Sequence, residues 1–145
     1  MTFNEVKQFL NRGYKIDVRI KAKEERIRYW NEYATSTTAA LKPVYVKGSS
    51  MPTSKVEKAV LNICELQDKI QAEIDSLTTI EHEVAYVIEH GGLDPVDKAI
   101  LELRYQNFKD WDEIARELNY AYRWILRRHK RAIFKLMENW PLKVT

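Results

Sequence analysis

Cysteine, glycine, proline and histidine are scarce in this chain of 145 residues, which has one cysteine, four glycines, four prolines and three histidines. A single cysteine, Cys64, excludes an intramolecular disulfide and a multi-cysteine metal site, and its apolar flanks predict a buried thiol. The sequence has no glycine-rich phosphate loop, metal-ligand pair or nucleophile motif. His129 falls on an apolar helix face, which is typical of a core histidine. We therefore expect no catalytic residue, no metal site and no cofactor.

Long apolar runs are also missing. No segment approaches the roughly 20 apolar residues of a membrane span, and the N-terminus MTFNEVKQFLNRG lacks the apolar core of a secretion signal. These absences predict a soluble, cytoplasmic protein with no membrane contact.

Two long helical segments fill residues 1–93. Thr2 and Glu5 form a capping box, and helical spacing then continues from residue 2 to about residue 42, with Gly13 as a possible site of local irregularity. Residues 43–53 contain two prolines, one glycine and two serines, which predicts a loop. A second capping box, Ser54 with Glu57, predicts a helix from residue 54 to residue 90. Gly91 and Gly92 are suited to ending that helix.

The second helix carries an apolar heptad seam. Gln67 and Glu81 are its predicted polar breaks, and its full set is Val56, Val60, Ile63, Gln67, Ile70, Ile74, Leu77, Glu81, Val84 and Ile88. Residues 2–42 hold nine basic and five acidic residues, whereas residues 54–90 hold three and eight. Opposite charge and a short loop favour an antiparallel helical hairpin. Because two helices bury little surface, we expect a homodimer through the hairpin; the alternative is a monomer in which the hairpin folds back on the C-terminal module.

Residues 94–145 predict a three-helix module. The first helix begins with Asp94 as cap and Pro95 in its first turn. The second begins at a capping box of Asp110 with Glu113 and ends near Asn119. The third begins around Ala121, and its predicted buried side consists of Ile125, His129, Ala132, Ile133 and Leu136. A short helix, a tight turn and a further helix have the spacing of a helix-turn-helix.

The third of these helices is densely basic. Residues 122–135 contain six basic residues and no acidic one, and residues 95–145 as a whole hold 11 Lys and Arg against 7 Asp and Glu, whereas residues 1–94 hold 13 against 14. A basic helix in this position predicts binding to a polyanion. The competing interpretation is a solvated charged face. Trp124 is expected to pack against the hairpin. Residues 91–145 are expected to fold when the hairpin is deleted.

Residues 101–136, LELRYQNFKDWDEIARELNYAYRWILRRHKRAIFKL, resemble the promoter-reading region 4 of bacterial sigma-70-type factors. The opening LELRY, the helix W-x-E-I-A and the ending R-x-x-x-R-A-x-x-K-L carry the likeness. Over the whole chain, the order of a first helix with ATSTTAAL, a loop with SSMP, an acidic second helix with AEIDSL and this module resembles a family of small phage and prophage proteins of Gram-positive bacteria. The resemblance implies a sigma-factor-like protein or a regulator of late transcription.

The resemblance implies sequence-specific binding of double-stranded DNA in a bacterial host cell, with RNA polymerase as a further candidate partner. Three positions depart from the sigma pattern: Asn119 replaces the usual glycine of the turn, Ala121 replaces a capping serine or threonine, and Arg128 occupies an apolar position. The upstream sigma domains are absent from these residues, so a complete sigma factor is not expected.

Roles follow by position on the third helix. By the sigma-like pattern, the base-reading residues are Tyr122, Arg123, Leu126 and Arg127, which we expect in a major groove. The residues expected at phosphates are Lys109, Arg116, Lys130 and Arg131. Two other functions stay open: a DNA-recognition protein of phage packaging, similar to a small terminase, and a protein-interaction module that has lost DNA contact.

Overall fold

The computed structural model describes the backbone of residues 1–41 and 51–142, and the side chains of residues 1–35 and 55–142. Six α-helices cover most of this part of the chain: α1 (Phe3–Leu10), α2 (Arg12–Leu41), α3 (Met51–His90), α4 (Pro95–Tyr105), α5 (Trp111–Leu118) and α6 (Tyr122–Glu138). No strand occurs in the described ranges, which confirms the all-α class. No described helix is long and apolar enough to cross a membrane.

The first predicted helix is two helices, which corrects the expectation of one helix from residue 2 to residue 42. Thr2 caps α1 as predicted, accepting a hydrogen bond from the Glu5 amide at 3.2 Å. The break lies at Asn11, whose backbone leaves the helical region at φ −90° and ψ 5°. It frees α1 to turn its apolar side onto α6, so tertiary packing decides where the helix ends.

Arg12 stabilises this break, and Gly13 beside it is closely packed. The Arg12 Nε donates to the Phe9 carbonyl at 3.0 Å and thereby caps the end of α1, while its Nη2 pairs with Glu83 at 2.9 Å. A Cβ on Gly13 would lie 2.8 Å from Leu77 Cδ1 and 3.2 Å from the Phe108 ring. Gly13 is therefore required for close packing, not for the change of direction.

Helix α3 already includes Met51–Thr53, so the predicted start at a Ser54 capping box is wrong. Pro52 lies in the first turn, where a proline does not interrupt helical hydrogen bonds. Residues 43–50 of the predicted loop lie outside the described residues. The predicted end is confirmed: α3 stops at His90, Gly92 takes a left-handed φ of +72°, and Gly91 has no room for a Cβ because Leu136 packs against it.

Two compact units divide the chain: Met1–Lys15 with the described residues from Leu77 onward, and the described residues of Ile16–Ser76. The main core of the first unit contains residues of α1, the end of α3, α4 and α6. Its buried members are Val6, Leu10, Val84, Val87, Ile88, Leu93, Leu101, Tyr105, Ala132, Ile133 and Leu136. Residues from both ends of the predicted hairpin therefore share a core with the C-terminal helices, and the division between residues 93 and 94 stays a prediction.

A smaller cluster holds α4, α5 and α6 together in the same unit. Ile100, Ile114, Ala115 and Ile125 are buried in it. Trp124 packs against this cluster, which corrects its predicted position against the hairpin. Its ring also stacks on Tyr120 with a centroid separation of 4.1 Å.

The second unit contains an antiparallel pair formed by α2 and α3. Glu73 of α3 accepts hydrogen bonds from Lys23 of α2 at 3.0 and 3.1 Å, and Arg19 lies 3.0 Å from the same carboxylate. The Lys23 and Glu73 side chains are only 18% and 15% exposed. A half-buried ion pair inside an apolar seam fixes the register of two helices. Glu73 therefore has the role of polar break in the seam that was predicted for Gln67.

Seven of the ten predicted seam positions are buried or half-buried: Val56, Ile63, Ile70, Leu77, Glu81, Val84 and Ile88. The other three, Val60, Gln67 and Ile74, are exposed. In that part of α3 the covered row is displaced by one residue, to Ala59, Leu66 and Glu73. The displacement also explains why Cys64 is exposed and not buried as predicted.

Candidate nucleic-acid interface

The turn between α5 and α6 has the predicted geometry. The Asp110 carboxylate caps α5 by accepting from the Glu113 amide at 2.9 Å. Asn119 ends the helix in the left-handed conformation, with φ 59° and ψ 46°, which asparagine tolerates better than most residues. The Tyr120 amide then donates to the Ala115 carbonyl at 3.1 Å. These bonds replace the glycine turn of the sigma pattern.

Helix α6 begins at Tyr122, with Ala121 as a cap residue that makes no side-chain hydrogen bond. Its buried side is as predicted: Ile125, Ala132, Ile133 and Leu136 have no exposed surface, and His129 is 6% exposed. Because this side is buried in the core, the side chains on the opposite side of α6 face solvent.

Four cations share the opposite side of α6, which we call the basic face: Arg123, Arg127, Lys130 and Arg131. All four are exposed, and none forms an ion pair or side-chain hydrogen bond within the described ranges. Tyr122 is 45% exposed at the start of the helix, and Leu126 is half-buried beside it. The predicted base-reading residues and two of the predicted phosphate residues therefore lie on one helix.

Arg123, the first cation of the basic face, opposes the helix dipole. The first turn of α6 contains Arg123 and no acidic residue, although the positive end of the dipole there favours a negative charge. Helix stability therefore does not explain this charge, whereas an external anion would be favoured by both the side chain and the free amides of the helix N-terminus.

The other two predicted phosphate residues differ in availability. Arg116 is exposed on α5. The Lys109 ammonium is paired with the Glu117 carboxylate, so phosphate binding there requires Lys109 to exchange one anion for another.

Arg128 lies apart from the basic face. Its side chain is 19% exposed, and its Nε donates to the fully buried Asp97 carboxylate of α4 at 2.8 Å. Its Nη2 lies 3.3 Å from Asp94, which makes no capping bond to α4, and its guanidinium covers the Trp124 ring at 5.1 Å. The misfit of Arg128 is visible in the sequence, but its partner Asp97 is not, because a carboxylate in the first turn of a helix resembles a dipole-stabilising surface residue.

A buried polar pair joins α4 to α6. The Tyr105 hydroxyl and His129 Nε2 lie 2.6 Å apart, and the Trp111 ring approaches the imidazole with a centroid separation of 4.6 Å. Burial lowers the pKa of His129 to about 4, assisted by the positive charges of Lys7 and Arg104. Burial likewise raises the pKa of Tyr105 to about 12. Both groups are therefore neutral near pH 7, and their hydrogen bond needs no charge.

The His129 pKa predicts acid sensitivity. The pKa of His129 is about 4 in the folded chain and about 6.5 in the unfolded chain. The neutral imidazole therefore contributes its full stabilisation of the folded chain above pH 6.5, and this contribution is lost as the pH falls toward 4. The expected loss is about 3 kcal/mol, measurable by guanidinium unfolding across that range. His129→Gln keeps a polar partner for Tyr105 and does not titrate, so it should remove this part of the pH dependence. An unchanged pH profile in the variant would contradict the assignment.

Among the described residues, no group of three or more His, Cys, Asp or Glu side chains could hold a metal ion. The chain matches no family model, no curated protein sequence and no solved structure. The likeness to sigma region 4 therefore rests on the residues of 101–136 and remains a prediction.

Proposed function

We propose that this protein is a sequence-specific DNA-binding regulator of phage or prophage genes that inserts α6 into the major groove. The observation that carries the proposal is the basic face: four exposed cations without an acidic partner in the described part of the chain, on the second helix of a helix-turn-helix. This is the charge and the placement that a recognition helix requires.

The roles within α6 follow from position. Recognition helices contact base edges with their N-terminal residues, so Tyr122, Arg123, Leu126 and Arg127 are the proposed base readers. An arginine can donate two hydrogen bonds to guanine, and an apolar or aromatic group can contact a thymine methyl. Lys130 and Arg131 follow one turn later, where phosphate contact gives affinity without sequence information.

Arg127→Ala and Lys130→Ala form a matched pair that tests these roles. Arg127→Ala should reduce the discrimination between cognate and random DNA by about 1–3 kcal/mol, whereas Lys130→Ala should weaken both similarly. Fluorescence anisotropy on both duplexes, with the cognate site first obtained by selection from genomic fragments, measures the difference.

The salt dependence gives an independent readout for the same two variants. Lys130→Ala should reduce the slope of log affinity against log salt by about one. Equal losses of discrimination in the two variants would contradict the base-reading role, and no salt-dependent DNA binding by the native protein would overturn the proposed function in favour of a protein-interaction module.

We also propose a homodimer through the hairpin, with RNA polymerase as a further candidate partner. Val18, Val60 and Leu61 of the second unit expose 47%, 50% and 69% of their surfaces, and a second copy would cover such apolar side chains. The mass in solution separates this function from DNA packaging. A ring of about eight or more subunits would favour the packaging protein, whereas a dimer would support the regulator.

A further inference from the structure

A polar cleft of about 360 Å³ opens in the first unit, between α1 and the segment that joins α4 to α5. Helix α1 contributes Asn4, Lys7, Gln8 and Asn11 to its wall. Their spacing of three and four residues places these side chains on one side of α1, and the break at Asn11 allows α1 to pack on the C-terminal helices. The volume lies in the range of small-molecule sites.

The opposite wall and the floor come from the end of α4 and the start of α5, through Arg104, Tyr105 and Trp111. The Arg104 guanidinium is held in place: its Nη1 donates to the Lys109 carbonyl at 3.0 Å, and its Cζ lies 4.7 Å from the Trp111 ring centre. The remaining guanidinium N–H groups keep their capacity to donate. The Tyr105 hydroxyl is engaged by His129, which leaves the floor neutral.

The charge of the cleft is one-sided. Its lining contains two cations, Lys7 and Arg104, and no carboxylate. Neither cation forms an ion pair within the described ranges; Lys7 lies only over the Phe3 ring, at 5.7 Å from its centre. Both cations lower the pKa of the buried His129, so their positive potential extends to the floor of the cleft. The amides of Asn4, Gln8 and Asn11 add donors around the two charges.

We propose that this cleft binds a small oxyanion, the phosphate or carboxylate group of a polar metabolite, between Lys7 and Arg104. A fixed guanidinium supplies directed donors for such a group, and a lysine adds a mobile point charge. Asn4, Gln8 and Asn11 are suited to the polar remainder of the ligand. The cleft is concave and of ligand size, whereas the basic face is an open helix surface, and the two share no residue, so a Lys7 variant distinguishes anion binding in the cleft from anion binding at the basic face.

Isothermal titration calorimetry on the full chain tests the site, with inorganic phosphate and citrate as probes at constant ionic strength set with chloride. Both anions should bind, and each should raise the unfolding temperature as mass action requires. Lys7→Gln should weaken the binding about tenfold, the usual loss for one charge-assisted hydrogen bond. Lys7 is exposed, so this variant should fold normally.

Lys58→Gln is the control, because Lys58 is an exposed lysine on α3 that does not line the cleft. It removes the same charge and should leave the affinity within about twofold. Equal weakening in the two variants would show that the anion responds only to the net charge of the protein, and it would overturn the site. The absence of binding of either anion to the native protein would also overturn it. These measurements contain no DNA, so they succeed or fail independently of the proposed function.

Discussion

Replacing Arg128 with alanine should lower the free energy of unfolding by about 3–5 kcal/mol, the usual cost of breaking a buried ion pair from one side. The Asp97 carboxylate has no exposed surface. Its Oδ1 accepts from Arg128 at 2.8 Å, and its Oδ2 has no hydrogen-bond partner among the described residues. Arg128→Ala therefore leaves a buried negative charge without its cation. Guanidinium unfolding at pH 7 measures the loss.

Arg127→Ala is the matched control, since it removes the same side chain one position earlier on an exposed side of α6. Its effect on stability should stay within about 0.5 kcal/mol. The double variant Asp97→Leu with Arg128→Met removes both charges and should recover most of the stability lost by Arg128→Ala. A loss below about 1 kcal/mol in Arg128→Ala would show that Asp97 does not depend on this partner.

The two arginines thus divide the basic helix by task. Arg128 anchors α6 to α4 through Asp97, while Arg127 points to solvent. The anchor acts together with the buried side of α6, which fixes the direction of the basic face. The number of basic residues in 122–135 does not distinguish these two roles, because the sequence alone does not show which cation has a buried partner.

The local structure of the C-terminal helices could be predicted from sequence because local chemistry determines it. Asp110 caps α5 through a short-range hydrogen bond to the Glu113 amide, whereas Pro95 and Asn119 mark helix ends through their backbone preferences. The period of 3.6 residues then identified all five buried residues of α6. The candidate DNA surface follows from the same pattern, since it is the side of α6 that the core does not use.

The predictions of one continuous first helix and of the seam in α3 were wrong where they depend on packing between residues distant in sequence. Residues 2–42 have continuous helical spacing, and nothing within them shows that α1 gains more by packing on α6 than by continuing into α2. In α3, apolar residues stand on both sides of the true seam, as with Ala59 next to Val60, so periodicity fits two registers. The choice depends on Lys23 and Arg19, which meet Glu73 from another helix. The cleft was missed for the same reason, because two distant segments form it.

Residues 91–145 alone should fail to fold, contrary to the expectation from sequence that they form an independent module. The fragment lacks five buried members of the main core: Val6, Leu10, Val84, Val87 and Ile88. At about 1.5–3 kcal/mol for each side chain, the lost burial amounts to about 10 kcal/mol, which is comparable to the total stability of about 5–15 kcal/mol of a typical protein. We expect an amide spectrum of low dispersion and no cooperative thermal transition.

A pair of full-length variants tests the same core without deleting any segment. Leu10→Ala removes a side chain of α1 with no exposed surface and should cost about 2–5 kcal/mol. Leu61→Ala makes the same change at a position 69% exposed in a single copy of the chain, so at concentrations where the protein is monomeric it should cost under about 0.5 kcal/mol. Cooperative unfolding of residues 91–145, or a small effect of Leu10→Ala, would show that α1 is dispensable to the C-terminal helices. If the C-terminal helices require α1, a fragment without the hairpin loses DNA binding because it has lost part of its core. DNA recognition must then be tested with point variants of the basic face in the full chain.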